Sequence, residues 1–147
     1  MYFWISGAIV LFLDRLTKYF VVEKMYLGQS VPVIGDLLHL TYIKNPGAAF
    51  GMFSEKTWLF VIITLIIMII MVYINNTMGK GNQFFSLILG VIAGGAVGNL
   101  IDRLQTGYVI DFIDFQGIWP YVFNTADMAI VIGTFLLGWK ILISKNI

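Results

Sequence analysis

Cysteine is absent from this chain of 147 residues, and histidine occurs once, at His39. The first absence removes disulfides, thiolate metal sites and cysteine nucleophiles. The second leaves neither a histidine-rich metal cage nor a Ser-His-Asp triad. Charge is scarce as well: 12% of the residues are Asp, Glu, Lys or Arg, 59% are hydrophobic, and the mean hydropathy is +0.89. Soluble domains carry about 25% charged residues. This chain therefore lacks the polar surface to cover a water-facing globule, and the solvent for much of it is lipid. Its formal charge of +1 gives no field that would gather nucleic acid. Whatever chemistry it performs must come from carboxylates, amides, hydroxyls and a few cations.

Four apolar stretches are present, at about 2–22, 57–74, 84–104 and 128–143. The second is free of charge over 18 positions, which at ~1.5 Å rise per residue cover roughly the thickness of a hydrocarbon core. The fourth carries Lys140 near its end, where a long side chain can snorkel. The first is unusual, because Asp14, Arg15 and Lys18 lie inside it; it has neither the basic start nor the small-residue cleavage site of a secretory signal peptide. The expected fold is an all-α membrane protein, one domain over 1–147, with four transmembrane helices and both termini on one side. Between the first two helices, segment 23–56 contains SVPVIGDLLHLTYIK, whose Gly35-Asp36 punctuation predicts a small β-hairpin. Residues 105–127 mix Asp with Ile, Phe and Trp and read as a loop at the membrane interface. Lys80, Lys140 and Lys145 lie on the side of the termini with no acid beside them, which points to the cytoplasm for that side.

Ionisable groups inside a span cost at least ~2.5–3.5 kcal/mol each, so each asks for a reason. Asp14 and Lys18 are four apart on one helix face; they can form an intrahelical ion pair or line a polar cavity. Gly90, Gly94 and Gly98 recur every fourth residue, a ridge against which a neighbouring helix can pack closely. Asn99, Asp102 and Arg103 continue that helix and can satisfy one another as a structural polar knot. Asp111, in YVIDFIDF, and Asp127, in FNTADMAI, are 16 residues apart on one connection that can fold them together. Asp127 can equally be a helix cap, and Asp114 an interface residue. His39 reads as an ordinary hairpin residue.

If the two aspartates meet, the chemistry is definite. Two close carboxylates cannot both ionise cheaply, so they share a proton; one acts as general base on water while the other polarises a carbonyl. That is peptide hydrolysis without metal, cofactor or covalent intermediate. Asp111, in apolar surroundings, is the expected holder of the proton.

DRLTK (14–18), NPGAAFG (45–51), GGAVGNLIDR (94–103), VIDF (109–112) and FNTAD (123–127) together resemble, in order and spacing, the motifs of the lipoprotein signal peptidase (signal peptidase II) family. The resemblance implies a membrane aspartyl endopeptidase of the bacterial inner membrane, with both termini cytoplasmic and its site toward the extracytoplasmic face. It would cut prolipoproteins before the diacylglyceryl-modified cysteine, with membrane lipid around it, no cofactor, no nucleic acid and no second copy. Asp111 and Asp127 match the family's catalytic aspartates. Asp14, Lys18, Asn45, Gly47, Asn99, Asp102, Arg103 and Asn124 match positions that support the site or contact substrate. Arg15 departs from the pattern, where Gln is more frequent. The NPGAAFG turn and the hairpin are expected to cover the site as a lid, and Trp58 and Trp119 to lie in an aromatic belt.

Rival readings are a proton-coupled transporter, a purely structural membrane subunit, and a Ser/Lys peptidase built on Ser30 or Ser54. The first lacks an inverted repeat, the second leaves the polar clusters unexplained, and the third has no serine in a motif prepared for attack.

Overall fold

The computed structural model describes residues 1–47 and 56–143. Its elements run α1 (Tyr2–Lys24), β1 (Ser30–Ile34), β2 (Leu38–Asn45), α2 (Thr57–Thr77), α3 (Gln83–Thr106), β3 (Val109–Phe115) and α4 (Thr125–Ile143). The fold is mostly helical, with one small antiparallel sheet in the order β1-β2-β3.

Helix α3 is the axis around which the others gather, with α1, α2 and α4 all packing against it. Its glycines explain how. Gly90 lies beneath the Phe3–Ser6 turn of α1, and at Gly94 a Cβ would stand 3.0 Å from Val10 Cβ. Gly95 lies against the Ala126 carbonyl of α4. Without side chains in between, backbone meets backbone, and Ser6 Oγ donates directly to the Leu87 carbonyl at 3.0 Å. The ends of α3 are well specified: Asn82 Oδ1 accepts from the Phe85 amide at 3.1 Å, and Gly107, at φ 80°, supplies the left-handed cap. Phe3, Met71, Phe85, Ile88, Leu89 and Ile92 form the apolar core at the far end of the bundle. Among the described residues three helices, α2, α3 and α4, are long and apolar enough to cross a membrane. The fourth, α1, has 23 residues but carries Asp14, Arg15 and Lys18 in its interior.

The expected hairpin is present as β1 and β2, turning at Gly35 with φ 48°. Two sequence expectations need correction. Segment 105–127 is not simply an interface loop: it contains β3, which pairs with β2 from Leu38↔Phe115 to Asn45↔Val109. Buried on both faces from Val109 to Phe112, β3 shows no alternation of apolar and polar residues, its two aspartates falling on opposite faces. Ile110 and Phe112 join Val21 and Tyr42 in a small core beside the end of α1, while Asp111 and Phe115 point into a cavity on the other face. The last helix also starts earlier than its hydropathy suggests, at Thr125, because Asn124 and Asp127 cap it.

Candidate active site

Chain geometry brings α4 to β3. After β3 the strand doubles back, and Phe123 exchanges hydrogen bonds with Ile113, its carbonyl accepting at 2.7 Å and its amide donating at 3.0 Å. The next residue, Asn124, is thereby set beside Asp111, and α4 begins there. Asn124 and Asp127 form a reciprocal capping box: the Asp127 amide donates to Asn124 Oδ1 at 2.9 Å, and the Asn124 amide donates to Asp127 Oδ2 at 3.3 Å. The mundane reading of Asp127 as a cap is thus present in the fold. The same carboxylate also lines a cavity of about 1110 Å³ together with Asp111.

Each aspartate is held by amides. Asp111 accepts from Asn124 Nδ2 at 2.7 Å through Oδ1 and from Asn45 Nδ2 at 2.9 Å through Oδ2. Asp127 Oδ1 accepts from Asn99 Nδ2 at 2.7 Å. Asn124, fully buried, also donates to Asn99 Oδ1 at 3.1 Å and the Ile110 carbonyl at 3.2 Å. Burial drives the Asp111 carboxyl upward and the negative charge of Asp127 adds to it, while the Asn45 and Asn124 amides pull the other way; the result is a pKa of about 7.

Around this pair stand the remaining predicted residues. Lys18 Nζ lies 2.8 Å from Asp14 Oδ2 and 2.8 Å from Asp102 Oδ2, and donates to Asn99 Oδ1 at 3.0 Å. Asn45 Oδ1 accepts from the Gly47 amide at 3.0 Å, and the Gly47 carbonyl accepts from Arg103 at 3.3 Å. The guanidinium of Arg103 also lies 4.9 Å from the centre of the Phe60 ring. All ten predicted side chains or backbone groups are therefore joined, directly or through one neighbour, to a single polar network.

The expected knot is wired differently, however. The guanidinium that pairs with Asp102 belongs to Arg15, not to Arg103, which turns toward Gly47 and the cavity. Arg15, unassigned on the sequence, thus has a partner 87 residues away, and no local spacing could reveal it. Thr17 and Thr125, whose hydroxyls are 2.9 Å apart between α1 and α4, were likewise not foreseen. Asp114 points away from the cavity and accepts from Thr41 at 2.7 Å and Gln116 at 2.6 Å. His39 and Thr41 both contact the Ser30 hydroxyl. The lid expected over Ala48, Ala49, Phe50 and Gly51, and Ser54 with it, lie outside the described residues. Among the described residues no three His, Cys, Asp or Glu side chains are grouped to hold a metal ion.

Most of the cavity wall is apolar, with Phe115, Trp119, Tyr121, Met128 and Val131 facing it; the two carboxylates, Asn45, Asn99 and Arg103 line it too. An extended chain with bulky apolar groups fits such a lining, its polar backbone directed to the aspartates.

This architecture recurs in solved bacterial membrane enzymes. One, described as a bacterial membrane enzyme solved by the in meso method at 2.3 Å, superposes with a TM-score of 0.89 at 35% identity, covering 97% of this chain and 92% of that one. A second, at 1.9 Å, gives 0.87 at 37% identity over 97% and 92%. The family model for signal peptidase (SPase) II matches residues 7–143, and the chain belongs to that family. Among its relatives, the lipoprotein signal peptidase of Desulfitobacterium hafniense (strain DSM 10664 / DCB-2) is 47% identical over 137 residues, 93% of this chain and 90% of that one. The lipoprotein signal peptidase of Moorella thermoacetica is 46% identical over 143 residues, 97% and 94% of the two chains. Family and apolar helices together make this a peptidase of a bacterial membrane.

Proposed function

We propose that the chain removes signal peptides from bacterial prolipoproteins, cutting before the diacylglyceryl-modified cysteine, and does so as an aspartic endopeptidase with Asp111 and Asp127 as the reacting pair. The observation that carries this reading is the convergence of these two carboxylates on one cavity, cross-tied by Asn124. The names of its relatives supply the substrate class.

In the resting pair Asp111 holds the proton, as its position on a buried strand favours, and Asp127 is ionised. Asp127 takes a proton from a water whose oxygen attacks the scissile carbonyl carbon, while Asp111 gives its proton to the carbonyl oxygen. The product is a neutral gem-diol. Asp127 then passes its proton to the amide nitrogen, Asp111 recovers one from a diol hydroxyl, and the C–N bond breaks. Acid and amine leave, and the pair is back in its starting state. The flanking Arg103 and the asparagine amides stabilise charge that develops on the diol oxygens.

The same reading makes α1 a fourth span, its ionisable groups satisfied in the network instead of facing lipid. Both termini are cytoplasmic, the sheet and the site lie toward the extracytoplasmic face, and a lipid-linked substrate enters sideways from the bilayer. The chain acts as a monomer without cofactor. Reconstituted into vesicles, it should release the signal peptide from a diacylglyceryl-modified prolipoprotein and leave the unmodified precursor uncut. Asp111→Ala and Asp127→Ala should bind the substrate and not cut it. Cleavage by both variants would overturn the dyad.

A further inference from the structure

Lys18 is buried completely, and its ammonium forms ion pairs with Asp14 Oδ2 and Asp102 Oδ2, each at 2.8 Å, and donates to Asn99 Oδ1 as a third partner. What the two carboxylates do with their remaining capacity is informative. Asp14 Oδ1 accepts from the backbone amide of Ala126 at 3.0 Å. Asp102 Oδ2 accepts from the backbone amide of Ile110 at 3.3 Å. Ala126 immediately precedes Asp127, and Ile110 immediately precedes Asp111. The third acceptor repeats the pattern through side chains, since Asn99 donates to Asp127 and accepts from Asn124, which in turn holds Asp111.

We infer that Lys18 is a positioning residue that sets the two aspartates in register with each other, gripping the backbone N–H of the residue ahead of each through Asp14 and Asp102. The inference rests on the proposed dyad and adds what fixes its spacing. Asp111 is carried by a strand and Asp127 by the helix that follows it, and a shared nitrogen on α1, from a distant part of the chain, gives both the same reference point. Three buried charges are a poor way to hold helices together, because well-packed apolar residues of similar volume are often as stabilising. Here the two carboxylates hold backbone amides directly, which apolar side chains cannot do. The local sequence makes room for the arrangement: Gly98 lies against the Asp14 carboxyl, where a Cβ would stand 3.0 Å from its Cγ. Arg15 pairs with Asp102 from the outside, so the two acids face two cations and the cluster is neutral.

Lys18→Met, Asp14→Asn and Asp14→Ala separate registration from simple helix cross-linking. In folded, reconstituted Lys18→Met, kcat should fall about 10²-fold, the usual cost of a reacting group displaced by about 1 Å, with KM within a few-fold of wild type. The alkaline limb of its pH profile should move upward, because the Lys18 charge favours the ionised form of Asp111. Amide hydrogen exchange should speed up at Ala126 and Ile110 and stay unchanged in the middle of α4. Asp14→Asn keeps an acceptor for Ala126 and should retain more kcat than Asp14→Ala, even where Lys18→Met yields little folded protein. Wild-type kcat per folded molecule and an unmoved pH profile in Lys18→Met would overturn the inference. So would equal kcat in the two Asp14 variants. Because amide exchange at Ala126 and Ile110 reads registration without any catalysis, it also distinguishes a failure here from a failure of the dyad, which would appear as cleavage by Asp111→Ala.

Discussion

The side-chain amide of Asn124 donates to Asp111 Oδ1 at 2.7 Å, and three acceptors in all compete for its two N–H groups. One bond is therefore shared, and the residue has no spare donor. Asn124→Ala should leave Asp111 untethered on that side and remove the cap of α4, lowering kcat by about 10²-fold and destabilising the helix start by about 1 kcal/mol. Asn124→Asp keeps the cap but sets a third carboxylate against Asp111, and should be the less active of the two in a steady-state cleavage assay.

Activity should depend on pH through the proton of the dyad. With the Asp111 carboxyl raised to about 7, the singly protonated pair is lost as pH rises past that value. kcat should then fall about tenfold per pH unit on the alkaline side. A profile flat from pH 6 to 9 would be incompatible with Asp111 holding the working proton.

The same shift has a consequence for stability. The folded state binds the Asp111 proton more tightly than the unfolded chain does, since the folded value of about 7 lies above the ordinary carboxyl value of 3.8. This contribution is complete below about pH 4 and is lost as pH rises through about 7, at up to ~1.4 kcal/mol per pH unit. Asp111→Asn is permanently neutral and keeps it. Inactive as an enzyme, this variant should melt at a progressively higher temperature than wild type between pH 4 and 7, with the gap constant above that range.

Gly98→Val should fail both as a fold and as an enzyme, because its side chain would enter the space of the Asp14 carboxyl and Ala126 Cβ, 3.5 Å from the added Cβ. Overpacking of this kind costs about 1–3 kcal/mol. Gly138→Ala is the control: nothing lies within 4 Å of its Cβ position, and activity and melting temperature should match wild type or exceed it slightly.

Arg15→Gln should cost little. Its side chain is 35% exposed while that of Lys18 is fully buried, and with Arg15 replaced the buried Asp102 keeps Lys18 at 2.8 Å as its counter-charge. Glutamine can still donate to Asp102, so kcat should stay within tenfold of wild type, in contrast to Lys18→Met.

How much of this was legible in the sequence follows from the range of each interaction. Helices α2 and α3, the hairpin and the glycine ridge write themselves into local periodicity and composition. Asp14 and Lys18, four apart, advertise their ion pair on one helix face. Strand β3 was hidden because burial on both faces erased its alternation, and α4 lost its first turn because capping residues are polar. The pairing of Arg15 with Asp102 was invisible for a different reason: it depends on the depth at which α1 meets α3, and the more obvious neighbour, Arg103, suggested another partner. Proximity of Asp111 to Asp127 could be read as possible from spacing, but what brings them together is the pairing of Phe123 with Ile113, a contact with no signature in the letters.

The glycine contacts between α1 and α3 have a mechanical consequence. Where main chains touch there is no layer of rotamers to rearrange, so these two helices move as one rigid plate, with α4 pinned to it at Ala126. Helix α2 is anchored far more loosely, with Met71 its one buried side chain among the described residues. Changes in bilayer thickness or lateral pressure should therefore be absorbed by tilting of α2, which carries Phe60 of the cavity wall, leaving the spacing of the carboxylates unaltered.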